Sequence, residues 1–333
     1  MNKKLRVDLT ANKLLSNKKN NISSRFFKKI ILKKFNMIKT GFIEVVDNNN
    51  IYYFGNNQSK LKVKVEILSP EFYTYLSTSG LLGVSEAYAI GLWKSNDLVL
   101  LLRIIIQNKD LMNQMESGLS KLMIPINYII HLTRKNSLTG SKNNILAHYD
   151  LSNEFYKLWL DDTMSYSCGF FKTKFCSMKD ASIEKLDRIC RKLNISAKDS
   201  VLEIGTGWGS FAIFAAKNYG CKITTTTISD AQYEYTLKKI NDEGLANKIT
   251  LLKEDYRNLS GKYDKIVSIE MIEAVGYQYI PEYFNKVSNL LKNDGLFALQ
   301  GITYNDQNFD VYKKSVDFIK KYIFPGSCLI SIT

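Results

Sequence analysis

Two runs of β-branched and aromatic residues, Phe42-Ile43-Glu44-Val45-Val46 and Ile51-Tyr52-Tyr53-Phe54, flank Asp47-Asn48-Asn49-Asn50. Apolar runs around such a turn signal predict a hairpin. Charged and apolar residues alternate from Lys60 to Leu68, the period of a half-buried strand. Pro70 ends that run, and helical spacing follows through Glu71–Leu76 and Leu98–Gln107. These elements outline a small α+β N-terminal domain over residues 41–133. The polar stretch from Arg134 to Asn144 reads as a linker, bounded at 134–146. From about residue 180 helices and strands alternate. Helix Ile183–Leu193 leads to strand Ser200–Ile204, helix Ser210–Asn218, strand Lys222–Thr227 and helix Gln232–Gly244. Strands Ile249–Lys253 and Lys265–Glu270, helix Pro281–Leu291 and strand Leu296–Ile302 follow. Strands joined by helices predict a doubly wound α/β sheet over residues 147–333, with ligands at the carboxyl ends of parallel strands. There is no internal repeat.

Composition narrows the setting. A chain of 333 residues is long enough for about two domains. Its five cysteines form no C-x-x-C pair and it has two histidines, so no metal site is expected and free thiols suit a reducing compartment. The N-terminus carries no apolar leader run, and the greasiest stretch, Leu98 to Ile106, is too short to cross a bilayer and contains Arg103. A cytoplasmic protein is expected. The net charge of +14 is concentrated in residues 1–40, with about twelve Lys and Arg against one acid, Asp8. Within this basic arm Phe27, Ile30, Ile31 and Phe35 share a helical face opposite lysines. That pattern suits an anionic membrane surface, and equally a helix docked on a core with a solvated basic face. Nucleic acid is not expected, because the aromatics sit on the apolar face and offer no stacking platform.

The chemistry concentrates at Val201-Leu202-Glu203-Ile204-Gly205-Thr206-Gly207-Trp208-Gly209-Ser210. An apolar strand runs into glycines at alternate positions and then a helix, so the backbone can approach a ligand closely and present N–H groups. The G-x-G-x-G spacing, with Glu203 two residues before the first glycine, differs from the G-x-G-x-x-G of nicotinamide and flavin enzymes. It resembles the first motif of S-adenosylmethionine-dependent methyltransferases, which makes Glu203, Gly205, Gly207, Trp208 and Gly209 candidate cofactor residues. After the second strand, Thr227, Ser229 and Gln232 stand where a ribose contact is usual, without the acid many such enzymes place there. Asp255 and Tyr256 after the third strand could hold an adenine edge and face, or Asp255 could simply cap a helix. The segments His148–Tyr156 and Asp161–Cys168 mix aromatics with hydrogen-bonding side chains, a cap over a cofactor or a packed interdomain linker. Glu270 and Glu273, at a strand end with Gly276, suit a general base or the holder of one, although either could be a helix-start charge.

Taken together, these segments resemble the cyclopropane-fatty-acyl-phospholipid synthase family, which includes the mycolic-acid cyclopropane synthases. The likeness rests on Ala147-His148-Tyr149-Asp150-Leu151, Tyr166-Ser167-Cys168, Thr227-Ile228-Ser229, Asp255-Tyr256-Arg257 and Lys320-Lys321-Tyr322-Ile323-Phe324-Pro325-Gly326. Ser85-Glu86-Ala87-Tyr88, Gly91 and Trp93 resemble the family's N-terminal motif. The resemblance implies a class I methyltransferase fold and Tyr166 and Ser167 as further cofactor contacts. It also implies a reaction in which the cis double bond of a phospholipid acyl chain takes up the cofactor's methyl group, loses a proton and closes to a cyclopropane. A bound bicarbonate is implied as base, held by Glu273 and by backbone groups of Cys168 and Ile302. Gln300 stands where the family has a histidine, and Ala274 replaces another; glutamine can donate to an anion but carries no charge. That departure is compatible with a methyl-branched product. The chain ends soon after Phe324-Pro325-Gly326, so the last strands of the family's sheet are expected to be missing, leaving an open edge. The expected function is therefore methyl or methylene transfer to an unsaturated phospholipid, peripherally at the inner face of the membrane. A shortened, inactive relative that binds only cofactor or membrane is the alternative. An RNA methyltransferase is the third reading, though the chain has no Asn/Asp-Pro-Pro-Tyr/Phe motif.

Overall fold

Side-chain alternation builds the first sheet, and strands buried on both faces build the second. The computed structural model describes residues 21–115, 128, 136 and 152–333. The chain divides into two compact units, Met1–Ile130 with Lys314–Tyr322, and His131–Lys313 with Ile323–Thr333.

The first unit contains helix α1 (Asn21–Phe35) and strands β1 (Phe42–Asp47), β2 (Asn50–Gly55) and β3 (Lys62–Ile67). Helix α2 (Glu71–Ala89), strand β4 (Trp93–Ser95), helix α3 (Leu98–Gln107) and helix α4 (Lys109–Met115) follow. The sheet runs β2-β1-β3-β4, with the expected hairpin between β1 and β2 and a parallel β1–β3 pair. Ile43, Val45, Val63, Val65 and Ile67 turn to one face and pack with Phe72, Leu76, Leu101 and Ile104. Helix α1, the described part of the basic arm, follows the core-docked reading. Ile31 of α1 is 1% exposed in this core, and Phe27 and Phe35 pack against it, leaving Phe26 and Ile30 outside. Lys28 from the same helix reaches the buried carboxylate of Asp47 at 2.6 Å, which also accepts from the Tyr73 hydroxyl at 2.8 Å. The segment is a core-docked helix because its apolar side has strands to cover.

Two sequence motifs meet in this unit. Glu86, 3% exposed, accepts from Lys321 Nζ and from the Tyr322 hydroxyl, each at 2.6 Å. A buried carboxylate needs such partners, which accounts for Lys314–Tyr322 joining this unit when the sequence-based boundary kept it with the second domain.

The second unit carries helix α5 (Asn153–Lys157), helix α6 (Met178–Lys192), strand β5 (Ser200–Ile204), helix α7 (Ser210–Asn218) and strand β6 (Lys222–Thr226). Helix α8 (Asp230–Asp242), strands β7 (Ile249–Leu252) and β8 (Tyr263–Ile269), helix α9 (Ile280–Leu290) and strand β9 (Leu291–Gln300) complete its main elements. The sheet order is β7-β6-β5-β8-β9 and every pair is parallel. Val201 of the central strand packs on one face with Phe211, Ala215 and Ile240 from α7 and α8. Leu202 and Ile204 pack on the other with Tyr283 and Val287 of α9. This is a doubly wound α/β fold with a parallel sheet.

Candidate functional site

The glycine loop lies at the carboxyl end of β5, the central strand, where the crossovers to β6 and β8 diverge. Its glycines take conformations closed to most residues: φ is +53° at Gly207 and +84° at Gly209, with Gly205 also positive. A Cβ on Gly209 would lie 2.7 Å from Thr236 Cγ2, so packing against α8 excludes any side chain there. A Cβ on Gly207 would meet nothing within 4 Å. The backbone at Gly207 thus borders open space, the cradle a nucleoside-type cofactor needs for close approach. Trp208 turns the other way and is buried, its Nε1 donating to Asn153 Oδ1 at 2.7 Å. Its ring packs 4.6 Å from that of Tyr156, and Tyr166 packs on both rings. Among the described residues, 152–168 therefore form an aromatic cap against the glycine loop; His148–Leu151 lie outside them.

The remaining expected cofactor residues build turns at neighbouring strand ends. Thr227 Oγ1 donates to Gln232 Oε1 at 2.8 Å, and Ser229 Oγ caps α8 by accepting from Gln232 N. Asp255 caps the short turn Tyr256–Asn258, and its carboxylate is gripped by Arg257 through Nε at 2.8 Å and Nη2 at 2.7 Å. The cap reading of Asp255 is thus realised. Tyr256 is half-buried edge-on to Tyr283, and burial pushes its hydroxyl up to about 12. Glu203 is fully buried, accepts from Thr225 Oγ1 at 2.6 Å, and is pushed by burial up to about 8.

Beside this cradle, two carboxylates follow β8. Glu270 takes a left-handed conformation at φ +46°, a strain that a non-glycine residue sustains only where the surroundings fix it. Its Oε1 accepts from Cys168 N at 2.7 Å and from Gln300 Nε2 at 2.8 Å. Gln300 also donates to Cys168 O at 3.2 Å, so strand β9 and the aromatic cap meet on this one acid. Glu273 Oε1 accepts from Ile302 N, while its Oε2 is buried without a hydrogen-bond partner. Burial, with Glu270 nearby, raises the Glu273 carboxyl above its ordinary value.

The donors expected to hold bicarbonate are engaged within the chain. The amides of Cys168 and Ile302 and the side chain of Gln300 all converge on carboxylates of the chain itself. A bound anion would share those donors with Glu270 and Glu273, and the unpartnered Glu273 Oε2 is an acceptor for the hydroxyl of a bicarbonate. Glu270, open above to reading as a helix-start charge, is the hub of the cluster. Asn136 was hidden in the polar linker: 4% exposed, it donates to Ala274 O and Gly326 O at 2.9 Å and accepts from Arg257 at 3.0 Å. Lys185 of α6 was also missed, because a lone lysine in a helix carries no local signal. It is 5% exposed and donates to Ser167 Oγ.

Comparison with known proteins identifies the family. Residues 136–333 match the family described as mycolic acid cyclopropane synthetase. A probable fatty acid methyltransferase of Pseudomonas putida is 39% identical over 54% of this chain and 47% of its own length. The cyclopropane-fatty-acyl-phospholipid synthase of Escherichia coli K12 is 32% identical over 87% of this chain and 72% of its own. The solved structure of mycolic acid cyclopropane synthase CmaA1, complexed with SAH and CTAB, shares 29% identity and superposes with a TM-score of 0.53, covering 57% of this chain and 70% of that one. A glycine-loop methyltransferase fold with paired acids at the fourth strand's end is what this chain presents. It belongs to the mycolic acid cyclopropane synthetase family. Two of the curated relatives it matches are longer, the chain spanning 47% and 60% of their length.

Proposed function

We propose that this chain alkylates the cis double bond of an unsaturated phospholipid acyl chain with S-adenosylmethionine, giving a cyclopropane or methyl-branched chain. The observation that carries this reading is Glu273, a buried carboxylate with one oxygen unpartnered, in the same strand-end cluster as Glu270 and next to the open glycine cradle. Gly205, Gly207 and Gly209 would hold the cofactor, with Trp208 packed behind their loop and Glu203, Tyr166, Ser167, Thr227, Ser229, Gln232, Asp255 and Tyr256 around it. When bound, S-adenosylmethionine supplies an electrophilic methyl group.

The residues of the chain do the rest. An alkene is a weak nucleophile, so the pocket must align it and exclude water. The rings of Tyr156, Trp159 and Tyr166, packed tilted or edge-on with centroids 5.2–5.7 Å apart, shelter positive charge that develops on the acyl chain. Glu273 then accepts the proton released from the transferred carbon at Oε2, and its raised pKa makes it the stronger base. If the proton instead leaves a chain carbon next to the cation, an unsaturated methyl-branched chain results in place of a ring. The names of the relatives, a fatty-acyl-phospholipid synthase and a probable fatty acid methyltransferase, support a lipid acceptor. Among the described residues no helix is long and apolar enough to cross a membrane, which is compatible with peripheral action at the cytoplasmic face.

The test is incubation of the purified chain with labelled S-adenosylmethionine and vesicles of unsaturated phospholipid, followed by fatty-acid analysis. Label is expected in a cyclopropane or branched acyl chain. Cofactor binding without lipid product would instead fit a relative that no longer completes the reaction, and label in added RNA would overturn the lipid reading. Glu273→Gln is expected to keep its affinity for S-adenosylhomocysteine while losing product formation by roughly 100-fold or more.

A further inference from the structure

Lys185 is a buried cation that the proposed reaction leaves unused. It projects from α6, is 5% exposed, and has three N–H donors to satisfy. Four groups face it electrostatically: Glu270, Asp161, Cys168 and Glu203. The three acids are already tied elsewhere. Asp161 accepts from Thr163 N and Ser182 Oγ, each at 2.7 Å; Glu203 accepts from Thr225; Glu270 accepts from Cys168 and Gln300. Among the described residues the one hydrogen bond of Lys185 goes to Ser167 Oγ.

That bond fixes what Ser167 can do. A hydroxyl that accepts from an ammonium keeps its own proton to donate, and the charge behind it strengthens that donation. Ser167 is half-buried, and its Oγ donates to no described residue. It sits between Tyr166, which packs on Trp208 of the glycine loop, and Cys168, whose amide holds Glu270. A lysine buried merely to fill this space would be worse than an apolar side chain of the same length. Ser167 Oγ thus carries a proton to donate, backed by a buried ammonium, in the residue next to the ring that packs on the glycine loop.

We propose that Lys185 is a positioning residue that holds Ser167 as the donor for the carboxylate of the cofactor's amino-acid moiety. This rests on the S-adenosylmethionine reading above. The carboxylate is the one anionic group that cofactor carries, and Ser167 stands one residue from Tyr166, which packs on Trp208 of the glycine loop.

Titration calorimetry on the full chain tests it with two probes. S-adenosylhomocysteine carries the amino-acid moiety; 5′-methylthioadenosine lacks it. Lys185→Met and Ser167→Ala are each expected to weaken S-adenosylhomocysteine about tenfold or more, the effect of one charge-assisted hydrogen bond. Affinity for 5′-methylthioadenosine should stay within about twofold, which also shows that both variants fold. Equal losses for the two probes would mean a structural role and overturn the proposal, as would unchanged affinity for S-adenosylhomocysteine. Unchanged affinity together with a new dependence of turnover on added bicarbonate would place Ser167 on a different anion and equally overturn it. Wild-type protein that binds neither probe removes the cofactor reading itself, a failure distinct from the others.

Discussion

Glu203 shows how a residue's meaning changes between sequence and structure. Two residues before the glycines it reads as a cofactor contact, yet it lies fully buried with its carboxyl pushed up to about 8. In an unfolded chain a glutamate titrates near ~4.3. Between those values the folded protein keeps a proton that the unfolded chain has released, so stability falls as pH rises through this window and is fully present only below it. Glu203→Gln removes that dependence. Its melting temperature relative to wild type is expected to climb by roughly 3–6 °C between pH 5.5 and pH 8.5; a constant or shrinking difference in calorimetric scans would show that Glu203 is ionised in the fold. Glu270 is the converse case. The sequence displays it only as an acid at a strand end, while the fold gives it a strained backbone and the converging donors of Cys168 and Gln300.

Elements were more legible than residues. The hairpin of β1 and β2, the third strand, helix α3 and the alternation from α6 to β9 all follow from periodicity, because strands buried on two faces and helices buried on one leave different spacings. Beyond the expected Glu71–Leu76, helical structure resumes after a break at Gly80 (φ +57°) and runs to Ala89. The buried positions after the break, Leu82, Gly83, Glu86 and Ala87, share one face, and the kink at Gly80 takes them out of phase with the first half. Helix α1 shows the limit of amphipathicity, since a lipid surface and a protein core ask for the same stripe. The structure gives that stripe to the core, with a measurable consequence. Ile31→Ala is expected to destabilise the first unit by roughly 2–4 kcal/mol, as for other buried isoleucines. Phe26→Ala, on the 61% exposed side, should stay within about 0.5 kcal/mol. Denaturant unfolding distinguishes them, and equal, small effects would mean that α1 does not hold the core.

At the scale of the whole molecule, charge and topology separate. A net charge of +14 is a long-range property that needs no fold. Sedimentation with anionic phospholipid vesicles is expected at 50 mM salt and should fall several-fold by 500 mM, where screening shortens the field to a few ångströms. Binding to zwitterionic vesicles that ignores salt would assign the contact to apolar insertion instead. What the sequence by itself determined was the kind of sheet, the glycine loop and the family, because these rest on local spacing and on motifs contiguous in the chain. The tertiary structure alone decided that Glu86 takes Lys321 and Tyr322 as partners, that Asn136 ties Ala274 to Gly326, and that Cys168 and Gln300 close on Glu270. Each of these is a polar group removed from water whose partner lies many residues away. Desolvation demands a partner but sets no sequence distance to it, so only the packed chain can say which one it is.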